Sequence, residues 1–344
     1  MNILVTGGSG FIGHHLVNRL VDDGHWVCGV DIQPPQFGET RASFDNWSLD
    51  LREYATLDRF IRDLASSGLT FDRVYALAAN MGGIGFISSN DYEIARDNSY
   101  INLNTAEIVR RAKIPRLLFS SSACVYPDFL QQMPSVYPEP LASFSLGEGD
   151  AWRGVPGTSY GIEKLMAEEM YQALGHDHGT EIRIARFHNI YGPEGSWDDG
   201  REKLPAAACR KIARWDIHER DTLPEPIPIE VWGTGQQVRS FCYISDCLEM
   251  LVGLMESDCS DPMNIGTDRG VTVDQVFDTV ADIAGLPIEK EHDLSKPQGV
   301  LRRNADLSLM REVLAYEPRV SLEEGLQQTY RWVRGQALEK WNGS

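Results

Sequence analysis

The N-terminus of the chain holds the stretch from which most of the fold can be argued, Ile3-Leu4-Val5-Thr6-Gly7-Gly8-Ser9-Gly10-Phe11-Ile12-Gly13. Three apolar residues followed by a glycine cluster predict a short buried strand that ends in a tight turn. Apolar side chains then recur at helical spacing from Phe11 to Leu20. A second apolar run, Trp26 to Val30, ends at Asp31 and predicts the next strand. Together these segments predict a βαβ unit at the start of the chain.

The glycine spacing and Asp31 indicate a dinucleotide site. A G-x-x-G-x-x-G turn lets the backbone approach a pyrophosphate, and the helix N-terminus behind it presents N–H donors. The residues predicted to contact the cofactor here are Gly7, Gly10, Phe11, Ile12 and Gly13. A carboxylate at Asp31 accepts hydrogen bonds from a ribose diol and repels a 2′-phosphate, so we predict NAD rather than NADP. Asp50 is a candidate acceptor for the adenine amino group, with an ordinary solvated loop acid as the alternative.

The rest of the chain predicts an α/β fold, a Rossmann-type doubly wound parallel sheet with helices on both faces. Further short apolar runs, separated by helical patterns, occur at Val74 to Ala78, Leu117 to Ser120 and Ile182 to Arg186. We predict an NAD-binding domain over residues 1–187, with a returning segment near residues 241–262. Residues 188–344 are predicted to form a mainly substrate-binding, smaller and interleaved C-terminal domain, with the ligand held between the two.

Composition argues against several function classes. The 32 basic and 50 acidic residues among 344 give a formal net charge of −18, which disfavours nucleic acid and anionic membranes as partners. The six cysteines form no C-x-x-C pair, so we expect neither a disulfide framework nor a bound metal. With no signal-peptide pattern and no apolar run of about 18 residues, a cytoplasmic location is expected.

A tyrosine and a lysine four residues apart are candidates for acid–base chemistry. Tyr160 and Lys164 share one face of a predicted helix, and an ammonium together with a nicotinamide cation is expected to lower the tyrosine pKa. Y-x-x-x-K is common on helices, but here it follows a dinucleotide loop and the run Ser120-Ser121-Ser122. We therefore predict Tyr160 as a proton acceptor and Ser122 as its hydrogen-bonding neighbour.

At this point the chain resembles the extended short-chain dehydrogenase/reductase family. The resemblance rests on the glycine loop, Leu77-Ala78-Ala79 at the fourth strand, the serine strand, Y-x-x-x-K and Asn189-Ile190-Tyr191-Gly192-Pro193. It implies that Leu77, Ala78 and Ala79 contact NAD, that the substrate is a nucleotide sugar, and that the protein is a homodimer formed through two helices of the first domain.

Longer blocks resemble the GDP-mannose 3,5-epimerase branch of that family. These blocks are Asn80 to Phe86, Arg186 to Pro193, Gly200 to Lys211 and Trp232 to Phe241. A dehydratase is expected to have Asp-Glu where this chain has Ala123-Cys124. The resemblance implies that Tyr160 deprotonates the C4 hydroxyl and that Cys124 and Lys203 exchange protons at C3 and C5, with a GDP-hexose as the favoured substrate.

The same resemblance implies a set of residues that hold the nucleotide sugar. They are Gly82, Ser122, Ala123, Cys124, Asn189, Glu202, Lys203, Lys211, Gln237, Arg239 and Arg303. The cations Lys211, Arg239 and Arg303 suit a diphosphate, with solvated surface charges as the alternative.

Two alternatives remain at this stage. The first is a plain C4 epimerase or sugar dehydrogenase in which Cys124 and Lys203 are structural. The second, from another class, is a non-catalytic NAD-sensing regulator. A Pro-rich insertion at residues 216–228 leaves open which nucleotide and sugar are bound: GDP-mannose, another GDP-hexose or a heptose derivative.

Overall fold

The structure of the protein is a computed structural model that describes residues 1–35, 37, 44–132, 144–217 and 224–341. Its strands are β1 (Asn2–Thr6), β2 (Trp26–Asp31), β3 (Phe44–Ser48), β4 (Arg73–Ala76), β5 (Arg116–Ser122), β6 (Glu181–Phe187), β7 (Ile190–Tyr191), β8 (Ile227–Trp232), β9 (Val238–Arg239), β10 (Cys242–Tyr243), β11 (Met263–Ile265), β12 (Val271–Thr272), β13 (Ile288–Asp293) and β14 (Arg302–Arg303). Its helices are α1 (Phe11–Asp22), α2 (Tyr54–Ser67), α3 (Ile84–Ser89), α4 (Asp91–Ala112), α5 (Asp128–Gln132), α6 (Ser159–His178), α7 (Leu204–Asp216), α8 (Ile244–Glu256), α9 (Val273–Ala284), α10 (Ser308–Leu314) and α11 (Leu322–Trp341).

Among the described residues, a seven-stranded sheet forms the centre of the molecule. Its strand order is β11-β6-β5-β4-β1-β2-β3, and every pairing in it is parallel. Both faces are covered, because Ile3 and Val5 belong to one buried apolar cluster while Leu4, between them, belongs to another. Successive side chains of a strand point to opposite faces, so β1 is buried on both sides. The predicted doubly wound α/β fold is confirmed.

The segment Leu77-Ala78-Ala79 does not lie on the fourth strand, as the sequence had suggested, but directly after it. Strand β4 ends at Ala76, and the Ala78 N–H donates to the Oγ1 of Thr6 at 3.3 Å. The chain turns here across the glycine loop, where a Cβ on Gly7 would lie 2.8 Å from the Ala78 nitrogen. Leu77 and Ala78 therefore border the glycine loop, and the predicted contact of Leu77, Ala78 and Ala79 with NAD stays a prediction.

The second half of the chain contains smaller sheets between its helices. Strand β13 pairs with β8 in parallel, and β9 lies between β12 and β14. The segment that begins at β10 then returns through α8, and β11 pairs with β6 at the edge of the main sheet. This return continues to Ile265, slightly beyond the residues 241–262 expected for it. Residues 218–223 of the Pro-rich insertion lie outside the described part of the chain.

No helix in the described ranges combines the length and the apolar character that crossing a membrane requires.

Candidate active site

The glycine loop packs tightly between β1, α1 and the segment after β4. Gly7 has φ of +73°, a conformation that side chains other than glycine rarely adopt. A Cβ on Gly13 would lie only 1.9 Å from the Gly7 carbonyl oxygen, so helix α1 can begin this close to the loop only with glycine there. The Oδ2 of Asp31 accepts a hydrogen bond from the Ser9 N–H at 3.0 Å. The predicted loop and the predicted carboxylate are thus brought together.

This loop fits the pyrophosphate and ribose of a dinucleotide. The N-cap of α1 is Gly10, which offers no side-chain acceptor to the N–H groups of the first helical turn. Within the described residues, the buried Oγ of Ser9 has no hydrogen-bond partner. Unpaired donors at a helix N-terminus favour an anion, and a buried unpaired hydroxyl is costly unless a ligand satisfies it. The residues present therefore suit NAD.

Asp50 is already engaged by a neighbour. Its carboxylate accepts from the Arg52 side chain at 2.7 Å and from the Arg52 backbone N–H at 2.9 Å. Hydrogen bonds from Arg52 hold the pKa of Asp50 below its usual value. The predicted contact with adenine stays a prediction.

Helix α6 places Tyr160 and Lys164 beside the end of β5. Tyr160 is almost fully buried, and burial together with the charge of Cys124 raises its pKa, while the neighbouring Ser122 hydroxyl lowers it by less. The Nζ of Lys164 donates to the Ser120 carbonyl at 3.0 Å and lies 5.9 Å from the centre of the Tyr160 ring. Burial also lowers the pKa of Lys164, against the opposing charges of two glutamates.

The predicted lowering of the Tyr160 pKa invoked Lys164 together with a nicotinamide cation, and it stays a prediction. The ammonium is directed to the Ser120 carbonyl, and burial of the phenol dominates, so the pKa of Tyr160 is raised rather than lowered. A lowering of that pKa would have to come from the nicotinamide cation that the sequence argument also invoked.

One cavity of about 760 Å³ lies between the main sheet and the smaller sheets. This volume is within the range of small-molecule sites, roughly 300 to 1,000 Å³. It is lined by Tyr160 and by all the residues predicted to hold the nucleotide sugar, namely Gly82, Ser122, Ala123, Cys124, Asn189, Glu202, Lys203, Lys211, Gln237, Arg239 and Arg303. Residues far apart in the sequence thus meet at one site.

Cys124 lies in a 3-10 turn directly after β5, half-buried in the cavity wall. Its backbone N–H donates to the Oγ of Ser122 at 3.1 Å, and its Sγ accepts from the Nη1 of Arg303 at 3.1 Å. Burial raises the pKa of the Cys124 thiol, but Arg303, Ser122 and Lys203 together bring it below the ordinary value. Burial lowers the pKa of Lys203, while the charge of Cys124 raises it.

The three predicted diphosphate ligands differ in their surroundings. Arg239 and Arg303 are paired in register on neighbouring strands, and Arg239 donates to the carbonyls of Val238 and Val300. Arg303 contacts the Cys124 thiol, while Lys211 is paired with the Glu230 carboxylate at 2.9 Å.

Two other predicted ligands have partners within the protein. The Glu202 carboxylate accepts from Arg210 at 2.7 Å and from the Gly200 N–H at 2.8 Å, which secures the loop before α7. The Nε2 of Gln237 donates to the Gln298 side chain at 3.1 Å. The Oε1 of Gln237 is buried and has no partner in the described residues, as expected of an acceptor that faces a ligand.

Sequence reasoning assigned no role to Gln131, which is completely buried and accepts a hydrogen bond from Arg303. It also gave none to Gln298, which contacts Gln237. Both contacts join residues more than 60 positions apart, so no local pattern marks them.

His14, His15 and Glu194 form a cluster close enough to share a metal ion beside the glycine loop. Each already has protein partners. His14 bonds the Gly10 carbonyl at 3.0 Å and Glu194 at 2.7 Å, and His15 bonds the Pro193 carbonyl at 3.2 Å. These contacts join α1 to the segment after β7.

Comparison with known proteins agrees with this geometry. The model described as the NAD dependent epimerase/dehydratase family matches residues 3–266, and the chain belongs to that family. It is similar to GDP-mannose 3,5-epimerase 1 of Oryza sativa subsp. japonica, with 38% identity over 99% of this chain and 83% of the relative. It is equally similar to GDP-mannose 3,5-epimerase of Arabidopsis thaliana, with 38% identity over 100% of this chain and 85% of the relative.

A solved structure of UDP-glucose 4-epimerase from Thermotoga maritima, with UDP-glucose, is also similar. Its TM-score is 0.80 at 25% identity, covering 98% of this chain and 99% of that chain. The predicted resemblance to the epimerase family and the predicted NAD cofactor are confirmed.

Proposed function

We propose that this chain is an NAD-dependent epimerase that inverts C3, C5 or both of a GDP-hexose, through transient oxidation at C4. The family and the relatives support the coarser part, an NAD-dependent epimerase that acts on a nucleotide sugar. One observation carries the finer part: Tyr160, Cys124 and Lys203 line the same cavity. Of these three residues, a C4 epimerase would need only Tyr160 for its chemistry.

The oxidation step would use the groups at the start of α6. Tyr160 accepts the proton of the C4 hydroxyl, with the Ser122 hydroxyl beside it. Lys164 is held behind the tyrosine ring by its bond to the Ser120 carbonyl. The chemistry that bound NAD would supply here is acceptance of a hydride from C4 and its return to C4.

The inversion step would use Cys124 and Lys203. A carbonyl at C4 acidifies the hydrogens on C3 and C5. One of the two side chains removes such a proton, and the other delivers a proton to the opposite face of the sugar. The Arg303 guanidinium and the Ser122 hydroxyl lower the pKa of the Cys124 thiol, and burial lowers the pKa of the Lys203 ammonium. Each group therefore gives up its proton more readily than usual, which suits it to proton transfer.

The basic side of the cavity supports a diphosphate. Arg239 is half-buried, and its described hydrogen-bond acceptors are neutral backbone carbonyls. Burial and the charge of the nearby Arg303 lower the pKa of the Arg239 guanidinium. Buried cations without a carboxylate partner are unfavourable, and an anionic ligand relieves that cost. The proposal of GDP as the nucleotide rests on the two plant relatives, whose names specify GDP-mannose.

We also propose a homodimer and a cytoplasmic location. Helices α4 and α6 expose large apolar side chains in helical spacing, including Tyr92, Tyr100, Leu103, Ile162 and Met166. A second copy of the same helix pair would remove this surface from water. The cytoplasm is supported by the six cysteines, each of which is unpaired.

The test is incubation of the NAD-loaded protein with GDP-mannose, other GDP-hexoses and UDP-glucose in deuterium oxide. We expect new epimers of a GDP-hexose with deuterium at C3 or C5, detected by NMR and mass spectrometry. Epimerisation at C4 without deuterium uptake would instead support a C4 epimerase. If the protein binds NAD but converts none of these sugars, the result would support a non-catalytic NAD-sensing regulator.

A further inference from the structure

The thiol of Cys124 contacts a cationic side chain, Arg303, that is itself held by a second hydrogen bond. Arg303, at the end of β14, donates from Nη1 to the Sγ of Cys124 at 3.1 Å. The Nε of the same guanidinium donates to the Oε1 of Gln131 at 2.6 Å. Arg303 is therefore held between the thiol and the glutamine, so its planar group has a defined orientation.

Gln131 is anchored at its other end. Its side chain is completely buried, and its Nε2 donates to the carbonyls of Tyr126 at 2.9 Å and Pro127 at 3.3 Å. Because both carbonyls require a donor, the nitrogen must face them and the oxygen must face Arg303. The amide orientation follows from the network. Gln131 lies on α5, which begins three residues after the turn that carries Cys124.

We propose that Gln131 is a positioning residue that holds Arg303 against the Sγ of Cys124 and thereby stabilises the thiolate used in proton exchange. The inference rests on the proposed function in that Cys124 is taken as an acid–base group. The hydrogen bonds described for the Gln131 side chain go to Arg303, Tyr126 and Pro127, and Gln131 is not among the described residues that line the cavity. Its effect on the reaction would pass entirely through the guanidinium.

The charges around the thiol agree with this arrangement. The groups that face Cys124 are Arg303 from β14, Lys203 from the residue before α7, Ser122 from β5, Tyr160 from α6 and Arg239 from β9. Burial raises the thiol pKa, and Arg303 is the largest influence in the opposite direction. A guanidinium that lost its Nε acceptor could rotate away, and the thiolate would lose that stabilisation.

The experiment measures ionisation of Cys124 without any sugar. The NAD-loaded protein is alkylated with iodoacetamide across a pH series, and the modified Cys124 peptide is quantified by mass spectrometry. Since the thiolate is the reactive form, the pH midpoint of the rate reports the ionisation of Cys124. The variants are Gln131→Met, Arg303→Met and the double variant. The matched control is Gln172→Met. Gln172 lies on α6, and its side chain donates a hydrogen bond to the Ser260 carbonyl that the methionine cannot make.

We expect Gln131→Met to move the midpoint upward, by up to about 1 pH unit, and Arg303→Met to move it at least as far. In the Arg303→Met background the Gln131 substitution should add nothing, because its effect passes through Arg303. The Gln172 control should leave the midpoint unchanged. An unchanged midpoint in Gln131→Met, or an equal shift in the Arg303→Met background, would overturn the proposal.

Further outcomes distinguish a folding defect, a failure of the proposed function and a failure of this inference. If Gln131→Met does not fold by circular dichroism, Gln131→Asn replaces it, because the shorter amide cannot reach both the carbonyls and Arg303. If Cys124 titrates as expected but no nucleotide sugar is turned over, only the proposed function fails. If epimerisation occurs and the Gln131 substitution leaves the pH midpoint of alkylation unchanged, only this inference fails.

Discussion

At the scale of single residues, Cys124 and Lys203 are the two side chains on which the proposed inversion at C3 or C5 depends. Both line the cavity, and each influences the pKa of the other. A C4 epimerase or a sugar dehydrogenase would use Tyr160 as well, so Tyr160 does not separate these enzymes from a 3,5-epimerase. The test of the proposed function therefore lies in substitutions of these two side chains.

We predict that Cys124→Ser and Lys203→Ala each abolish inversion while oxidation at C4 persists. A serine hydroxyl has a far higher pKa than a thiol, and alanine cannot carry a proton, so proton exchange at carbon should fall about 100 to 10,000-fold. NMR in deuterium oxide measures the exchange, and absorbance of the reduced cofactor measures oxidation. Retention of deuterium uptake by both variants would make the two residues structural.

We predict a different defect for Tyr160→Phe. The phenylalanine ring preserves the packing but cannot accept the C4 hydroxyl proton, so hydride transfer should fall by about 100 to 10,000-fold. Bound NAD should be retained, and single-turnover absorbance with the true substrate measures the loss. Near-normal turnover in this variant would contradict the assigned role.

At the scale of elements, two glycines allow the close approaches on which the site depends. Gly13 lets α1 begin against the glycine loop, and Gly161 lets α6 begin against the turn that carries Cys124. A Cβ on Gly161 would lie 2.1 Å from the Cys124 carbonyl oxygen. The distance between the tyrosine helix and the cysteine turn is thus set by a residue without a side chain.

We predict that Gly161→Ala separates α6 from the turn at Cys124. The clash should lower the free energy of unfolding by about 1 to 3 kcal/mol and reduce epimerisation strongly. Gly335→Ala, in the middle of α11, is the matched control, because nothing lies within 4 Å of its Cβ position. That control should gain about 0.5 to 1 kcal/mol from helix propensity. Denaturant unfolding and NMR assays of both variants make the comparison, and a stable, active Gly161→Ala would refute it.

We predict that the purified protein carries tightly bound NAD and that Gly13→Ala loses it. The added methyl would overlap the Gly7 carbonyl and displace the start of α1 from the loop. Heat-released supernatants of both proteins, resolved by chromatography, give the measurement. Release of NADP instead of NAD from the unsubstituted protein would disprove the role given to Asp31.

At the scale of the whole molecule, the site is built where two parts of the chain meet. Strand β5, the turn after it and helix α6 supply Ser122, Cys124 and Tyr160, while β9, β14 and the residue before α7 supply the cations Arg239, Arg303 and Lys203. The apolar face of α4 and α6 lies on the surface of the same sheet-containing half. Association through that face would leave the basic strands in place on each copy.

We predict that Leu103→Glu with Met166→Glu converts a dimer into monomers. Two carboxylates on the exposed faces of α4 and α6 would each have to be buried by association. Sedimentation velocity measures the mass in solution. Leu294→Glu, an equally exposed apolar position in the loop after β13, is the control and should leave the mass unchanged. A monomeric unsubstituted protein would rule the dimer out.

The sequence by itself determined the parallel α/β class, the glycine loop and the candidates for chemistry, because these depend on local patterns. It did not mark the two strands at the edges of the main sheet, β3 and β11. Apolar periodicity marks β1, α1 and β2, and the spacing from Tyr160 to Lys164 places both on one helical face. Family resemblance in the blocks around Cys124 and Lys203 supplied the remaining candidates.

Only the tertiary structure decided which of those candidates contact each other and which charged groups surround each one. The contact of Arg303 with Cys124 joins residues 179 positions apart, and the hydrogen bond from Arg303 to Gln131 joins residues 172 positions apart. The upward shift of the Tyr160 pKa follows from burial, which no spacing along the chain reports. Local patterns specify strands and helices, whereas pKa values and ligand contacts depend on distances that exist only after distant segments have packed together.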